Sequence, residues 1–140
     1  MTIRRAIPAD EDAIVAVDSA VIGTEERRRQ IRSAIADGLC VAAEVDGEVA
    51  AYAILSYHFF GNGFVELLMV HPTRQRHGLG MALLEHCRSI CRTQKMFTST
   101  NRSNTPMRAL LERAEFIFCG EIDHLDEGDP ERVYVKYLQR

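Results

Sequence analysis

Between Phe64 and Val70 the chain is apolar at every position except Glu66. A short continuous run of this kind reads as a strand buried on both faces. It is followed by His71-Pro72-Thr73, by the basic stretch Arg74-Gln75-Arg76-His77, and by Gly78-Leu79-Gly80. Leu79, Leu83, Leu84, Cys87, Ile90 and Cys91 then recur at helical spacing and predict a helix from about Leu79 to Thr93. A buried strand that turns within a few residues into an amphipathic helix commits the chain to a sheet covered by helices.

The remaining elements fall around this unit. Thr2–Ala6 is short and extended, and Pro8-Ala9-Asp10 offers a turn and an acidic start for a helix carrying Ile14, Val15, Val17 and Val21. Glu25–Asp37 reads as a charged helix with a thin apolar face of Ile31, Ala34 and Ile35, stopped by Gly38. Leu39–Val45 and Glu48–Tyr57 flank Asp46-Gly47, a strong hairpin signal, and Gly61-Asn62-Gly63 predicts a second turn. Met96–Thr100 is a strand, and Asn104-Thr105-Pro106 opens a helix with Met107, Leu110, Leu111 and Ala114. Phe116–Ile122 and Val133–Leu138 are closing strands around an acidic loop. The order is strand, two helices, three strands, helix, strand, helix, two strands, an α/β chain with a mixed sheet.

With 140 residues, 46% of them hydrophobic, a single domain over residues 1–140 is expected. A net charge of −3 argues against a nucleic-acid partner. Cys40, Cys87, Cys91 and Cys119 have no CxxC spacing and lie in apolar runs, so they read as reduced core residues of a cytoplasmic protein. His86 beside two of them is not read as a metal site, because Cys87 and Cys91 share the apolar face of a helix. No segment approaches the roughly 20 apolar residues of a spanning helix, and no membrane partner is expected.

Three places can carry chemistry. Free N–H groups at the start of the helix that Leu79 opens, with Gly78 and Gly80 admitting close approach and Arg74 and Arg76 adding charge, suit a pyrophosphate; a glycine-eased turn is the alternative. The motif is neither a Rossmann fingerprint nor a Walker loop. Glu66, if desolvated in its strand, suits a base for an ammonium acceptor, the alternative being a surface carboxylate or one paired with arginine. Asn104 is a polar group at a helix start, where plain N-capping would account for it.

Val70-His71-Pro72 followed by Gln75-Arg76-His77-Gly78-Leu79-Gly80 resembles the acetyl-CoA motif of the GNAT superfamily of acyltransferases, (Q/R)xxGx(G/A) after a V-x-P strand end. The opening Ile3-Arg4-Arg5-Ala6 with Asp10, the hairpin, and Asn104 ahead of Leu110–Phe116 fit the same layout. The resemblance implies a splayed central sheet flanked by helices, with the backbone of Leu68, Met69 and Val70 pairing with pantetheine. It further implies that Gln75, Arg76, His77, Gly78, Leu79, Gly80 and Met81 surround the pyrophosphate, that Asn104 touches the cofactor further along, and that Glu66 is the base. Where many members have a tyrosine acid and then a glycine, this chain has Leu111 and Glu115. Tyr57, Tyr134 and Tyr137 are unranked substitutes.

The expected reaction is transfer of an acetyl group from acetyl-CoA, as co-substrate and without a metal, to a small-molecule or peptide amine. The competing expectation is a CoA-binding regulatory module with reduced catalysis. The acidic residues Glu121, Asp123, Asp126, Glu127, Asp129 and Glu131 either draw a cationic amine or form a solvated turn. A homodimer is one open arrangement, and the residues do not set the oligomeric state.

Overall fold

A computed structural model describes residues 1–138. Among them the elements follow the expected order: β1 (Thr2–Arg5), α1 (Glu11–Ile22), α2 (Arg28–Ala36), β2 (Cys40–Val45), β3 (Glu48–Phe59), β4 (Asn62–Val70), α3 (Leu79–Ile90), β5 (Lys95–Asn101), α4 (Thr105–Arg113), β6 (Ile117–Ile122) and β7 (Glu131–Tyr137). Short 3-10 turns at Pro8–Asp10 and Pro72–Arg74 precede α1 and α3. The strands form one mixed sheet in the order β1-β2-β3-β4-β5-β7-β6. β4 and β5 are its parallel pair, registered at Gly63↔Met96, Phe64↔Phe97 and Val65↔Thr98.

The described residues cluster into two compact units, Met1–Leu55 with Leu67–Cys87, and Ser56–Glu66 with residues 88–138. In the first, Ile14, Val15 and Val17 of α1 and Ile31, Ala34 and Ile35 of α2 pack on Cys40 and Ala42 of β2 and on Tyr52 and Ile54 of β3. Leu67 and Met69 of β4 pack against that cluster. Asp46 and Gly47, with φ of 54° and 79°, make the two-residue turn between β2 and β3 that the dipeptide predicts. Ion pairs tie the helices: Arg28 reaches Glu11, Asp12 and Glu25, and Arg32 reaches Glu11.

In the second unit the largest buried side chains include Met96, Leu111, Tyr134 and Thr98, whose hydroxyl donates to the Val65 carbonyl at 3.0 Å. The second hairpin turn is Phe60-Gly61, with φ of 53° and 76°, rather than the expected Gly61-Asn62-Gly63. Stacking of Phe59 on Phe64, centroids 4.9 Å apart, accompanies the longer ladder, and the Asn62 amide donates to the Phe59 and Phe60 carbonyls. The acidic loop is largely internal structure. Glu121 pairs with Arg102 and Arg132, while Asp126 and Asp129 accept from Asn101 and Ser103.

Three expectations need correction. β4 is not enclosed on both faces, since Gly63 and Val65 are buried and every residue from 66 to 70 is only half-buried. The helix after the glycine loop stops at Ile90, with Cys91 still buried and the Arg92 N–H donating to the Tyr57 hydroxyl at 3.2 Å. Cys40, Cys87 and Cys91 are buried, but Cys119 is exposed because β6 lies at the edge of the sheet.

Candidate functional site

β4 delivers the chain into the glycine loop. Its end is fixed by the His71 N–H donating to the Ala50 carbonyl at 2.8 Å, and the following turn by the Arg74 N–H donating to the His71 carbonyl at 2.8 Å. The His71 ring caps that turn, with Nδ1 accepting from the Thr73 N–H at 3.2 Å. Gln75 is extended, and Arg76 and Gly78 then take left-handed φ of 68° and 77°. This reversal turns the backbone into α3, whose first main-chain bond from an i to an i−4 residue is Ala82 N–H to the Gly78 carbonyl at 3.0 Å. The N–H groups of Leu79, Gly80 and Met81 therefore precede the helical ladder and have no intrahelical acceptor.

Leu79 anchors the turn in the core at 2% exposure, whereas Gln75, Arg76, His77 and Gly78 are exposed. A Cβ built on Gly78 would meet nothing within 4 Å, so the space beside this backbone is open and the glycine is required by its φ alone. Arg74, expected to add charge here, has carboxylate neighbours of its own. Its guanidinium lies 3.5 Å from Asp46 and 3.8 Å from Glu48, tying the loop to the β2–β3 turn. Arg76 makes no ion pair among the described residues, which leaves it as the loop's available cation.

Leu68, Met69, Val70 and Gln75 through Met81 thus lie on one stretch of the first unit. Glu66 and Asn104 belong to the second. The Glu66 carboxylate is half-buried and 3.5 Å from Nδ1 of His58, an exposed ring, so its neighbour is a histidine rather than the arginine considered from sequence. Asn104 is exposed and caps α4, its Oδ1 accepting from the Met107 N–H at 3.2 Å. Leu111 is fully buried. Of the tyrosines, Tyr134 is buried with its hydroxyl accepting from Arg132, Tyr137 is exposed, and Tyr57 lies under the Arg92 guanidinium, 4.1 Å from its ring centroid.

Sequence reasoning passed over one polar cluster in the first unit. Asp18 is buried on α1, accepts the Tyr52 hydroxyl at 2.6 Å, and lies 3.3 Å from Nε of Arg27. Burial, and then Asp18, push the Tyr52 hydroxyl well above the usual phenol range. The available signal was an aspartate at helical spacing from Ile14 and Val15, on the apolar side of its helix. The described residues contain no group of three or more His, Cys, Asp or Glu side chains able to hold a metal ion, and no helix long and apolar enough to cross a membrane.

A strand, a left-handed basic turn and a helix start bearing amides without intrahelical acceptors form an arrangement suited to an anion, and comparison with known proteins gives the family. Residues 13–116 match the model of the Acetyltransferase (GNAT) family. An acetyltransferase of that family from Bacillus cereus ATCC 10987 is 36% identical, with a TM-score of 0.96 over 99% of this chain and 98% of that one. A Salmonella typhimurium protein described as an acetyltransferase, solved with its cofactor acetyl-CoA, has the same fold at 23% identity and a TM-score of 0.79, covering 100% of this chain and 95% of its own. The ribosomal-protein-S18-alanine N-acetyltransferase of Escherichia coli has it at 21% identity and a TM-score of 0.82, covering 99% and 94%. None of the curated proteins is a match. The chain belongs to the GNAT acetyltransferase family.

Proposed function

We propose that this acetyltransferase moves an acetyl group from acetyl-CoA to an amine acceptor by direct attack of the amine on the thioester. The observation that carries this reading is the left-handed pair Arg76 and Gly78, which turns the chain into α3 with open space on the Cβ side of Gly78 and leaves the amides that open the helix without intrahelical acceptors. The amides from Arg76 to Met81 would hold the pyrophosphate, with the partial positive charge of the helix start behind them and the Arg76 guanidinium beside them. The backbone of Leu68, Met69 and Val70 would pair with the pantetheine arm. Asn104 would contact the cofactor further along in addition to capping its helix.

Glu66 takes the proton that the acceptor ammonium loses, directly or through water. The neutral amine attacks the acyl carbon, a backbone N–H of the Val70 strand donates to the oxyanion, and the CoA thiolate departs. Alignment of two bound reactants supplies much of the acceleration. A side chain at position 111 cannot protonate the thiolate, because Leu111 is apolar and buried; the proton comes from another hydroxyl or from water. Solved relatives of this fold are named for acceptors as different as phosphinothricin and ribosomal-protein alanine. The acceptor is therefore not carried over from them.

The test is release of free CoA thiol from acetyl-CoA in the presence of polyamines, aminoglycosides, amino acids or peptides with free N-termini. Release that depends on one acceptor class supports transfer. Acetyl-CoA binding with no release across the whole panel would favour a CoA-binding module instead.

A further inference from the structure

Three consecutive arginines, Arg27, Arg28 and Arg29, lead into α2 and fare differently. Arg28 is saturated by Glu11, Asp12 and Glu25, and Arg29 is exposed. Arg27 keeps only 22% side-chain exposure and is gripped on one edge, its Nε lying 3.3 Å from the Asp18 carboxylate. Asp18 is in turn fixed by the Tyr52 hydroxyl at 2.6 Å. Among the described residues, neither terminal nitrogen of the Arg27 guanidinium has a hydrogen-bond acceptor.

Enclosing a carboxylate, a phenol and a guanidinium in a small core costs desolvation that a well-packed apolar trio would avoid. What the trio accomplishes is to orient a guanidinium whose remaining edge is the half that makes parallel bonds to a planar oxyanion. Its place in the fold is informative as well. The His71 to Ala50 bond sets a β3–β4 register in which Tyr52 lies across from Met69, and both side chains join the same core cluster. The held guanidinium is therefore anchored through the residue opposite the strand segment assigned above to pantetheine.

We propose that Arg27 recognises an anionic group on the acceptor, which makes the acceptor an amine that also bears a carboxylate, as an amino acid does, with Asp18 and Tyr52 as positioning residues. This rests on the acetyl-transfer reading of the site. The amine that attacks the thioester beside the Leu68–Val70 strand and the carboxylate that meets Arg27 belong to one small molecule, so polyamines and aminoglycosides are poor acceptors.

The experiment compares α-amino acids with their carboxamides and with the decarboxylated amines, by calorimetric binding to the CoA-loaded protein and by thiol release from acetyl-CoA. Free amino acids should bind and react best. Arg27→Lys keeps a cation beside Asp18 and so keeps the fold, but loses the fork. It should raise the Kd and KM of the amino acid by about tenfold to a hundredfold, the range for hydrogen bonds to charged groups, leave the Kd of acetyl-CoA unchanged, and erase the preference over the carboxamide. Arg29→Gln should change none of these. Equal or better binding of the carboxamides, or a preference that survives in Arg27→Lys, would overturn the proposal. Should no amine release thiol, the transfer reading fails by itself, and amino-acid binding that is present in the wild type and lost in Arg27→Lys still decides this one.

Discussion

Glu115 occupies a left-handed position, φ 64°, where α4 ends with the Glu115 N–H bonded to the Glu112 carbonyl and the Phe116 N–H to the Leu111 carbonyl. An L side chain there costs roughly 1–2 kcal/mol, of which glycine returns about 0.5–1 kcal/mol as backbone entropy. Glu115→Gly should therefore raise stability in urea unfolding by up to about 1 kcal/mol, and Glu115→Val should lower it; a destabilising glycine would mean that the glutamate side chain is held by something. At Glu66 the consequence is kinetic. Its carboxylate is half-buried beside an exposed His58. Glu66→Gln should leave acetyl-CoA affinity intact and slow turnover by about two to four orders of magnitude. Turnover close to wild type would reduce Glu66 to a structural role.

At the scale of elements, α1 and α2 are tied to each other by charge in addition to their apolar faces. Arg32, and then Arg28, pull the Glu11 carboxyl down from 4.5 to about 2. A depressed folded-state value means that this stabilisation is fully present above pH 4.5 and is lost as pH falls towards about 2. The melting temperature should drop through that window, and Glu11→Gln should start lower at neutral pH and fall less steeply in acid. An unchanged acid slope in the variant would show that the pair contributes nothing to folding. Turns show how unevenly sequence reports on elements. Asp46-Gly47 was legible because both residues tolerate positive φ, whereas Phe60-Gly61 was hidden because an aromatic residue rarely accepts it. The apolar run of β4 revealed a strand but not its partial exposure, since composition records hydrophobicity and not what covers it.

Across the whole molecule, the order of elements and the glycine loop were readable because each depends on neighbours in sequence. The insertion of β7 between β5 and β6 was not, because it is decided by pairing between distant strands, and with it went the exposure of Cys119. The trio of Asp18, Arg27 and Tyr52 escaped for the same reason, Tyr52 and Asp18 being 34 positions apart. Asn104 shows a different limit: its capping bond explains the residue without a ligand, so the sequence pattern could not separate the two roles. The proposed cofactor site is built on the loop that ends β4 and opens α3. The most direct measurement is calorimetric titration of acetyl-CoA into the wild-type protein and into Gly78→Asp, with folding checked by circular dichroism. Wild type should bind, and the variant, which adds bulk and negative charge where the amides face an anion, should bind more than about tenfold more weakly; a folded Gly78→Asp protein with unchanged affinity would contradict the cofactor assignment.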